Sequence, residues 1–358
     1  MHVGGTNGKG SVAVMVYEAL RAAGHRVALY TSPHLVDIRE RMIVDGRPIG
    51  RAAFAMWTER LRPTIDATAA SFFEATTAVA FADFASRGAD VAVIEVGLGG
   101  RLDATNVIDP LVAGVTFVGR EHTDYLGSSL DGIAREKAGI AKAGRPLVVG
   151  ETEPALLAAI TDTATAAGAT VVPVPPGARY GRRLALAGDH QRRNAAVAQE
   201  ILRRLPAAVR PGDRAVAHGL AVARLPGRFE RRGRWVFDVA HNPSGVATLL
   251  ETLRETGVPR PVHALVGILR DKDWRSMLES LAAAVDALWI TQPPTAPAER
   301  RWNIREAGAA MAGTARAEAN FDRALELVQE GAATILVTGS FHTVGDAMAR
   351  LPGFRPLG

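Results

Sequence analysis

Val3-Gly4-Gly5-Thr6-Asn7-Gly8-Lys9-Gly10-Ser11 lies at the start of the chain and runs straight into the helical stretch Val12 to Ala23. Small residues let consecutive backbone amides close around phosphate oxygens, and the N-terminus of the following helix favours an anion. Lys9 adds a point charge toward the β and γ phosphates. The stretch departs from the strict spacing GxxxxGK[ST]: Val3 stands where the first Gly belongs, Gly10 where the hydroxyl does, and Ser11 comes one step late. A mere glycine turn before a helix has no structural use for a lysine inside it. Gly5, Thr6, Asn7, Gly8, Lys9, Gly10 and Ser11 therefore read as a nucleotide cradle.

From Arg26 onward, short apolar runs ending in Gly, Pro or polar clusters alternate with Ala-rich helical stretches, the pattern of βαβ units around a mostly parallel sheet. Arg26 to Tyr30, Val91 to Val96, Val112 to Val118 and Pro146 to Val149 are nearly continuous in apolar residues, as strands buried on both faces are. Trp235 to Val239, Val262 to Gly267, Ala287 to Thr291 and Thr334 to Thr338 repeat the pattern. Pro226-Gly227 punctuates the stretch Leu220 to Arg228 between the two sets, so the expected organisation is two α/β lobes, residues 1–224 and 225–358, with a cleft between them. The first is expected to be a phosphate-loop nucleotide-binding domain and the second a Rossmann-like α/β domain.

A chain of 358 residues suits two such domains, and 47% hydrophobic with 22% charged residues is a globular composition. No apolar run approaches the roughly 18 residues of a membrane helix, and a cytoplasmic protein is expected. The absence of cysteine excludes disulfides, thiolate catalysis and cysteine-held metal centres. The net charge of +5 is carried almost wholly by dispersed Arg, with Lys only at 9, 137, 142 and 272. Dispersed charge without an aromatic run argues for an anionic small molecule rather than nucleic acid.

HVGGTNGKGS, TSPHL, FFEATTAVAF, VIEVGLGGRLDATN, EHTDYLG and REKAGI, followed by GDHQRRNAA, LPGRFE, DVAHNP, GILRDKDW and VTGSFHTVG, occur in that order over nearly the whole chain. Together they resemble the bacterial folylpolyglutamate and dihydrofolate synthase branch of the Mur ligase superfamily. The resemblance implies ATP and Mg²⁺ as cofactors, with L-glutamate and a reduced folate or dihydropteroate as substrates. Ser32, Glu95 and His122 match its metal ligands, and Glu95 and His122 are expected just past strand ends. Lys137 matches a lysine that the family carbamylates, whereas Lys142 has no family role and reads as a surface lysine. Asn194, four residues after His190, matches a residue at the adenine end of ATP; Arg228 one that reaches the phosphates; Asp238 and His241 residues that contact the nucleotide from across the cleft. Arg39, Arg41, Phe73 and Glu74 fall in motifs that line the acceptor region.

The chemistry so implied is an acyl phosphate, formed when a substrate carboxylate attacks the γ phosphate and consumed when an amine displaces phosphate. Lys9, Lys137 and His122 are the residues expected nearest that chemistry, and no covalent enzyme intermediate is required. Family members carry a helical segment and a full first strand before the loop, so a start lying further upstream, or a fragment, is expected. The stretch from Gly150 to Gly188 is short, and a reduced accessory sheet is expected there. A cell-wall Mur ligase would need a further domain of roughly 100 residues before the loop. A guanine-nucleotide switch would need an Asn-Lys-x-Asp signal, which is missing. A module that holds ATP without ligation is the remaining alternative, and a monomer is the default.

Overall fold

The computed structural model describes residues 1–120 and 122–352; Glu121 of the EHTDYLG motif lies outside them. Eight strands form the first sheet: β1 (His2–Gly4), β2 (Val27–Tyr30), β3 (Met42–Val44), β4 (Arg47–Pro48), β5 (Val91–Glu95), β6 (Ala113–Val115), β7 (Pro146–Val149) and β8 (Thr170–Pro173). Their order is β4-β3-β2-β5-β1-β6-β7-β8, and only the β2–β3 and β3–β4 pairs are antiparallel. β1 thus lies centrally, pairing His2 with Ile94 on one side and with Ala113 on the other.

The apolar runs are buried on both faces because their residues alternate between two cores. Val148 joins the core formed with α1 (Lys9–Ala22) and the helices Asp189–Arg203 and Asp213–Val222. Leu147 and Val149 join the core under the helices Leu130–Ala138 and Pro154–Ala166. The stretch after Gly150 supplies one of those helices and then β8, which extends the same sheet at its edge.

The chain passes through 223–229 and starts a second, six-stranded sheet of order β13-β12-β11-β14-β10-β9. Its strands are β9 (Glu230–Arg232), β10 (Trp235–Phe237), β11 (Val262–Val266), β12 (Ala287–Ile290), β13 (Arg316–Ala317) and β14 (Thr334–Thr338). All pairs are parallel except β9–β10. Val236, Val266 and Leu336 face a core with the helix Pro243–Thr256, while Phe237, Leu265 and Val337 face one with the helix Phe341–Arg350. Both sheets carry their functional loops at the carboxyl ends of parallel strands, the edge where open α/β sheets bind ligands.

α1 is buried over most of its length, from Gly10 to Leu20. Its backbone touches the helix Asp213–Val222 at Gly219, where an added methyl would stand 2.4 Å from the Ala19 backbone. Backbone cannot yield as a side chain can. Gly219→Ala is therefore expected to cost about 1–3 kcal/mol by overpacking, read as a lower urea midpoint, although the residue touches no part of the cleft.

Burial holds three imidazoles neutral. His2 is fully buried, with Nε2 2.8 Å from Thr105 Oγ1, and burial pulls its pKa down to about 3. Burial likewise pulls His34 and His190 down to about 4. The folded protein thus binds fewer protons than the unfolded chain below the ordinary histidine range. Stability falls as pH drops from about 6.5 toward 4, by up to about 1.4 kcal/mol per pH unit for each ring. Urea denaturation across that range is expected to show this slope, and His190→Gln to remove one proton's share of it.

Candidate active site

The loop after β1 is fixed by its glycines. Gly5 has φ 136° and lies so close to Thr116 that a Cβ would stand 2.0 Å from Thr116 Oγ1. Gly8, left-handed at φ 91°, caps α1 without any side-chain hydrogen bond, and no acidic residue occupies the first turn. The first amides of α1 are therefore left to an anion. Thr116 Oγ1 donates to Gly4 O (3.2 Å) and Asn7 O (2.7 Å), and Thr6 Oγ1 exchanges hydrogen bonds with Gly119. The Thr6 hydroxyl is thus used to bind the segment after β6, and its N–H serves the same segment by donating to Phe117 O at 2.6 Å.

Two lysines meet at one carbonyl. Lys9 Nζ donates to Gly5 O (2.9 Å) and Thr6 O (3.0 Å), and Lys137 Nζ, 1% exposed, donates to Gly5 O at 3.0 Å. Lys142 is half-buried and donates to Asn106 O at 2.9 Å, which corrects its reading as a solvated surface lysine. It ties down the loop of the LDATN motif.

Glu95 ends β5 beside the loop, 4% exposed, and Oε2 accepts from the Ser32 N–H at 3.0 Å. Burial pushes its carboxyl above the usual range, while Lys9, the Ser32 N–H, Arg228 and Arg41 pull the other way. A Cβ on Gly10 would stand 3.5 Å from Glu95 Oε2 and 2.9 Å from Leu225 Cδ2. This explains why Gly occupies a position where phosphate loops carry a hydroxyl: a side chain there would fill the space over the carboxylate.

A cavity of about 210 Å³ opens over the same place, with Gly10, Ser32, Glu95, Leu225, Arg228 and Phe341 in its wall. A buried carboxylate facing a space beside a bare helix N-terminus fits a divalent cation bridging to phosphate oxygens. Among the described residues no three His, Asp or Glu side chains gather into a complete cage. The fit is therefore to a cation that takes most of its ligands from phosphate and water. Ser32 follows β2 and adjoins Glu95. His122 comes from the β6 flank and begins the helix Thr123–Leu126 with φ 49°.

The second lobe reaches the same cleft. Asp238 follows β10 and accepts from the N–H groups of Phe229 and Ala240, both at 2.9 Å. Burial raises its carboxyl, against the pull of Arg228 and those amides. Burial lowers the Arg228 guanidinium, and Asp238 and Glu95 act to raise it, so this arginine lies between a carboxylate of each lobe. It also lies over the Phe341 ring at 5.1 Å, and the His241 ring is 5.7 Å from that ring. Asn194 stands beside the loop itself, since a Cβ on Gly8 would meet its Oδ1 at 2.6 Å.

The acceptor residues divide. Phe73 packs against Tyr30 (6.1 Å between rings) and under Gly97, and Arg41, 7% exposed, donates to His34 Nδ1 at 2.9 Å. Glu74 is instead half of a capping box with Ser71, and Arg39 pairs with Asp37 at the cap of a short 3₁₀ turn. For these two the geometry is local and structural. The S-x-x-E spacing of Ser71 to Glu74 is itself the sequence sign of a cap. Thr116, Leu225, Phe341, Asn242 and Ser244 were not singled out by the sequence. Leu225, Asn242 and Phe341 lie in the quoted motifs LPGRFE, DVAHNP and VTGSFHTVG, whereas Thr116 and Ser244 gain their places through contacts distant in the chain.

Residues 3–149 match the Mur ligase middle domain and residues 227–341 the Mur ligase glutamate ligase domain. The dihydrofolate synthase/folylpolyglutamate synthase of Escherichia coli is 35% identical over 97% of this chain and 85% of its own length. A probable bifunctional folylpolyglutamate synthase/dihydropteroate synthase of Halobacterium salinarum is 37% identical, and the chain spans 46% of its length. The Escherichia coli FolC structure in complex with DHPP and ADP superposes with a TM-score of 0.87 at 33% identity, covering 97% of this chain and 87% of that one. A bifunctional folylpolyglutamate synthase/dihydrofolate synthase with Mn, AMPPNP and L-glutamate bound gives 0.86 at 32% identity, covering 97% and 88%. With both Mur ligase domains matched and such relatives matched nearly end to end, the chain belongs to the folylpolyglutamate and dihydrofolate synthase family of Mur-type ATP-dependent ligases.

Proposed function

We propose that this protein joins L-glutamate to dihydropteroate, to a reduced folate ending in glutamate, or to both, through an acyl phosphate. The observation that carries the reading is the convergence of the bare N-terminus of α1, Lys9 and Glu95 from the first lobe with Asp238 and His241 from the second, and with Arg228 between them. Relatives bound to ADP and DHPP, and to Mn, AMPPNP and L-glutamate, support the substrate set. The interlobe boundary falls at residues 224/225, where the linker lines the cavity.

Backbone amides of Gly8, Lys9, Gly10 and Ser11 hold the phosphates, and Lys9 turns from Gly5 O to the γ phosphate. Ser32, Glu95 and His122 would hold Mg²⁺, whose chemistry would be to neutralise phosphate charge. Arg228 spans the remaining negative charge as an acceptor carboxylate oxygen attacks the γ phosphorus and ADP leaves. The glutamate amine, having lost a proton, then attacks the acyl carbon, and phosphate departs. Catalysis is positioning and electrostatics in a partly closed cleft.

The amine donor belongs to the second lobe, whose topological switch point lies between β11 and β14. A Cβ on Gly339 would stand 2.7 Å from Gly267 O there, and the Thr338 and Thr291 hydroxyls are buried without a hydrogen-bond partner. Phe73 and Arg41 face the acceptor. No helix among the described residues is long and apolar enough to cross a membrane, and the reading is of a cytoplasmic monomer acting on small molecules.

Phosphate release and product mass with ATP, Mg²⁺ and L-glutamate, plus dihydropteroate or tetrahydrofolate, test the reading. Turnover with either acceptor is expected, and Lys9→Ala is expected to lower it about 100-fold or more. ATP binding without product from either acceptor would leave only a nucleotide-binding module. Lys137 is also proposed to be carbamylated: intact mass in bicarbonate buffer is expected to rise by one CO₂, and not in Lys137→Arg. An unchanged mass in both would fix Lys137 as an amine.

A further inference from the structure

The side chain of Asn7, although in the phosphate loop, is turned toward the second lobe. Its Nδ2 donates to Ser244 Oγ at 3.1 Å, and its Oδ1 accepts from Asn242 Nδ2 at 3.3 Å. Ser244 Oγ in turn donates to Asn242 Oδ1 at 3.0 Å. The three side chains form a closed ring in which each donates to one neighbour and accepts from the other. One backbone group fixes its direction: Gly245 N–H donates to Asn242 Oδ1 at 2.7 Å, so the Asn242 amide nitrogen must face Asn7. Reversing Asn7 would set two amide nitrogens against each other.

We propose that this ring is an interlobe latch, and that Asn242 and Ser244 are positioning residues that seat the second lobe on the phosphate loop. The other side of Asn7 is the Thr116 contact, which holds its carbonyl to β6. The loop is thereby fixed to the first sheet by its backbone and to the second lobe by its side chain. Any shift of the loop on binding phosphate moves the cap of the helix Pro243–Thr256, the element that follows Asp238 and His241 in the chain.

Capping and latching can be separated, because Ser caps a helix as well as Asn does but is too short to reach Asn7 and offers no amide hydrogens. Asn242→Ser keeps the bond from Gly245 and loses the one to Asn7. Ser244→Ala opens the ring without adding charge, and Ser244→Thr restores the hydroxyl. This inference rests on the ligase reading, so the primary readout is independent of turnover: small-angle scattering of the whole protein with Mg–ADP. Asn242→Ser and Ser244→Ala are expected to melt with the wild type yet scatter with a larger radius of gyration, and Ser244→Thr to scatter as wild type.

In kinetics the two open variants are expected to lose roughly tenfold in kcat, the scale of one or two hydrogen bonds. Their KM for ATP is expected to change less than about threefold, because the loop amides and Lys9 are intact. Variants that scatter and turn over as wild type would reduce Asn242 to a helix cap and overturn the latch. A wild type that scatters like the variants would overturn it too. A wild type that closes but makes no product would refute the ligase reading alone.

Discussion

A carboxylate buried at a strand end is the constraint on which the site depends. Isolated in the interior, Glu95 would cost several kcal/mol. Lys9 from the phosphate loop, the Ser32 amide from the turn after β2, Arg41 from the hairpin beyond it and Arg228 from the interlobe linker offset that cost. These groups come from four separate stretches of chain, so the acid fixes where the loop, the hairpin and the linker sit relative to one another. Burial still outweighs them, and the carboxyl remains above its usual range. A divalent cation is the partner that would complete the balance, which makes the site's main electrostatic defect also its function.

The sheet order explains why one acid can gather so much. β1 runs between β5 and β6, so the loop leaving it has Glu95 on one flank and Thr116 on the other. Glu95 supplies charge and Thr116 geometry. The methyl-free backbone of Gly5, left-handed against Thr116, and of Gly10, held under Leu225 near Glu95, lets both neighbours approach. A side chain at either position would separate the parts that must meet at a phosphate.

The elements of the fold were legible because their causes are local. Continuous apolar runs gave the eight main strands, and the residues of the loop were readable from its glycines and lysine. What escaped was whatever depended on distant pairing. Thr116 carries no signal of its own and matters through the Gly5 backbone it touches, and Leu225, though it opens the LPGRFE motif, shows its role only against Gly10. Glu74 shows the converse: an acid in a functional motif has an S-x-x-E spacing that also describes a cap, and the structure shows the cap. Arg39 likewise has a local partner in Asp37. Residues with an adequate local partner are poor candidates for chemistry, whereas Glu95 and Arg228 are set apart by needing partners from elsewhere.

The two lobes touch in two physically different ways. One is a seam closed by glycines: a Cβ on Gly345 would fall 2.0 Å from Leu35 O, and one on Gly227 would meet the side chains of Val239, Val344 and Leu35. Opening that seam would expose those apolar side chains to water. The other is the ring of Asn7, Asn242 and Ser244, whose hydrogen bonds can be exchanged for water without creating a void. The polar ring is thus the interlobe contact that parts at the lower cost, and the glycine seam the one that holds. The cavity bounded by Glu95, Arg228 and Phe341 includes Leu35 in its wall and so adjoins the seam.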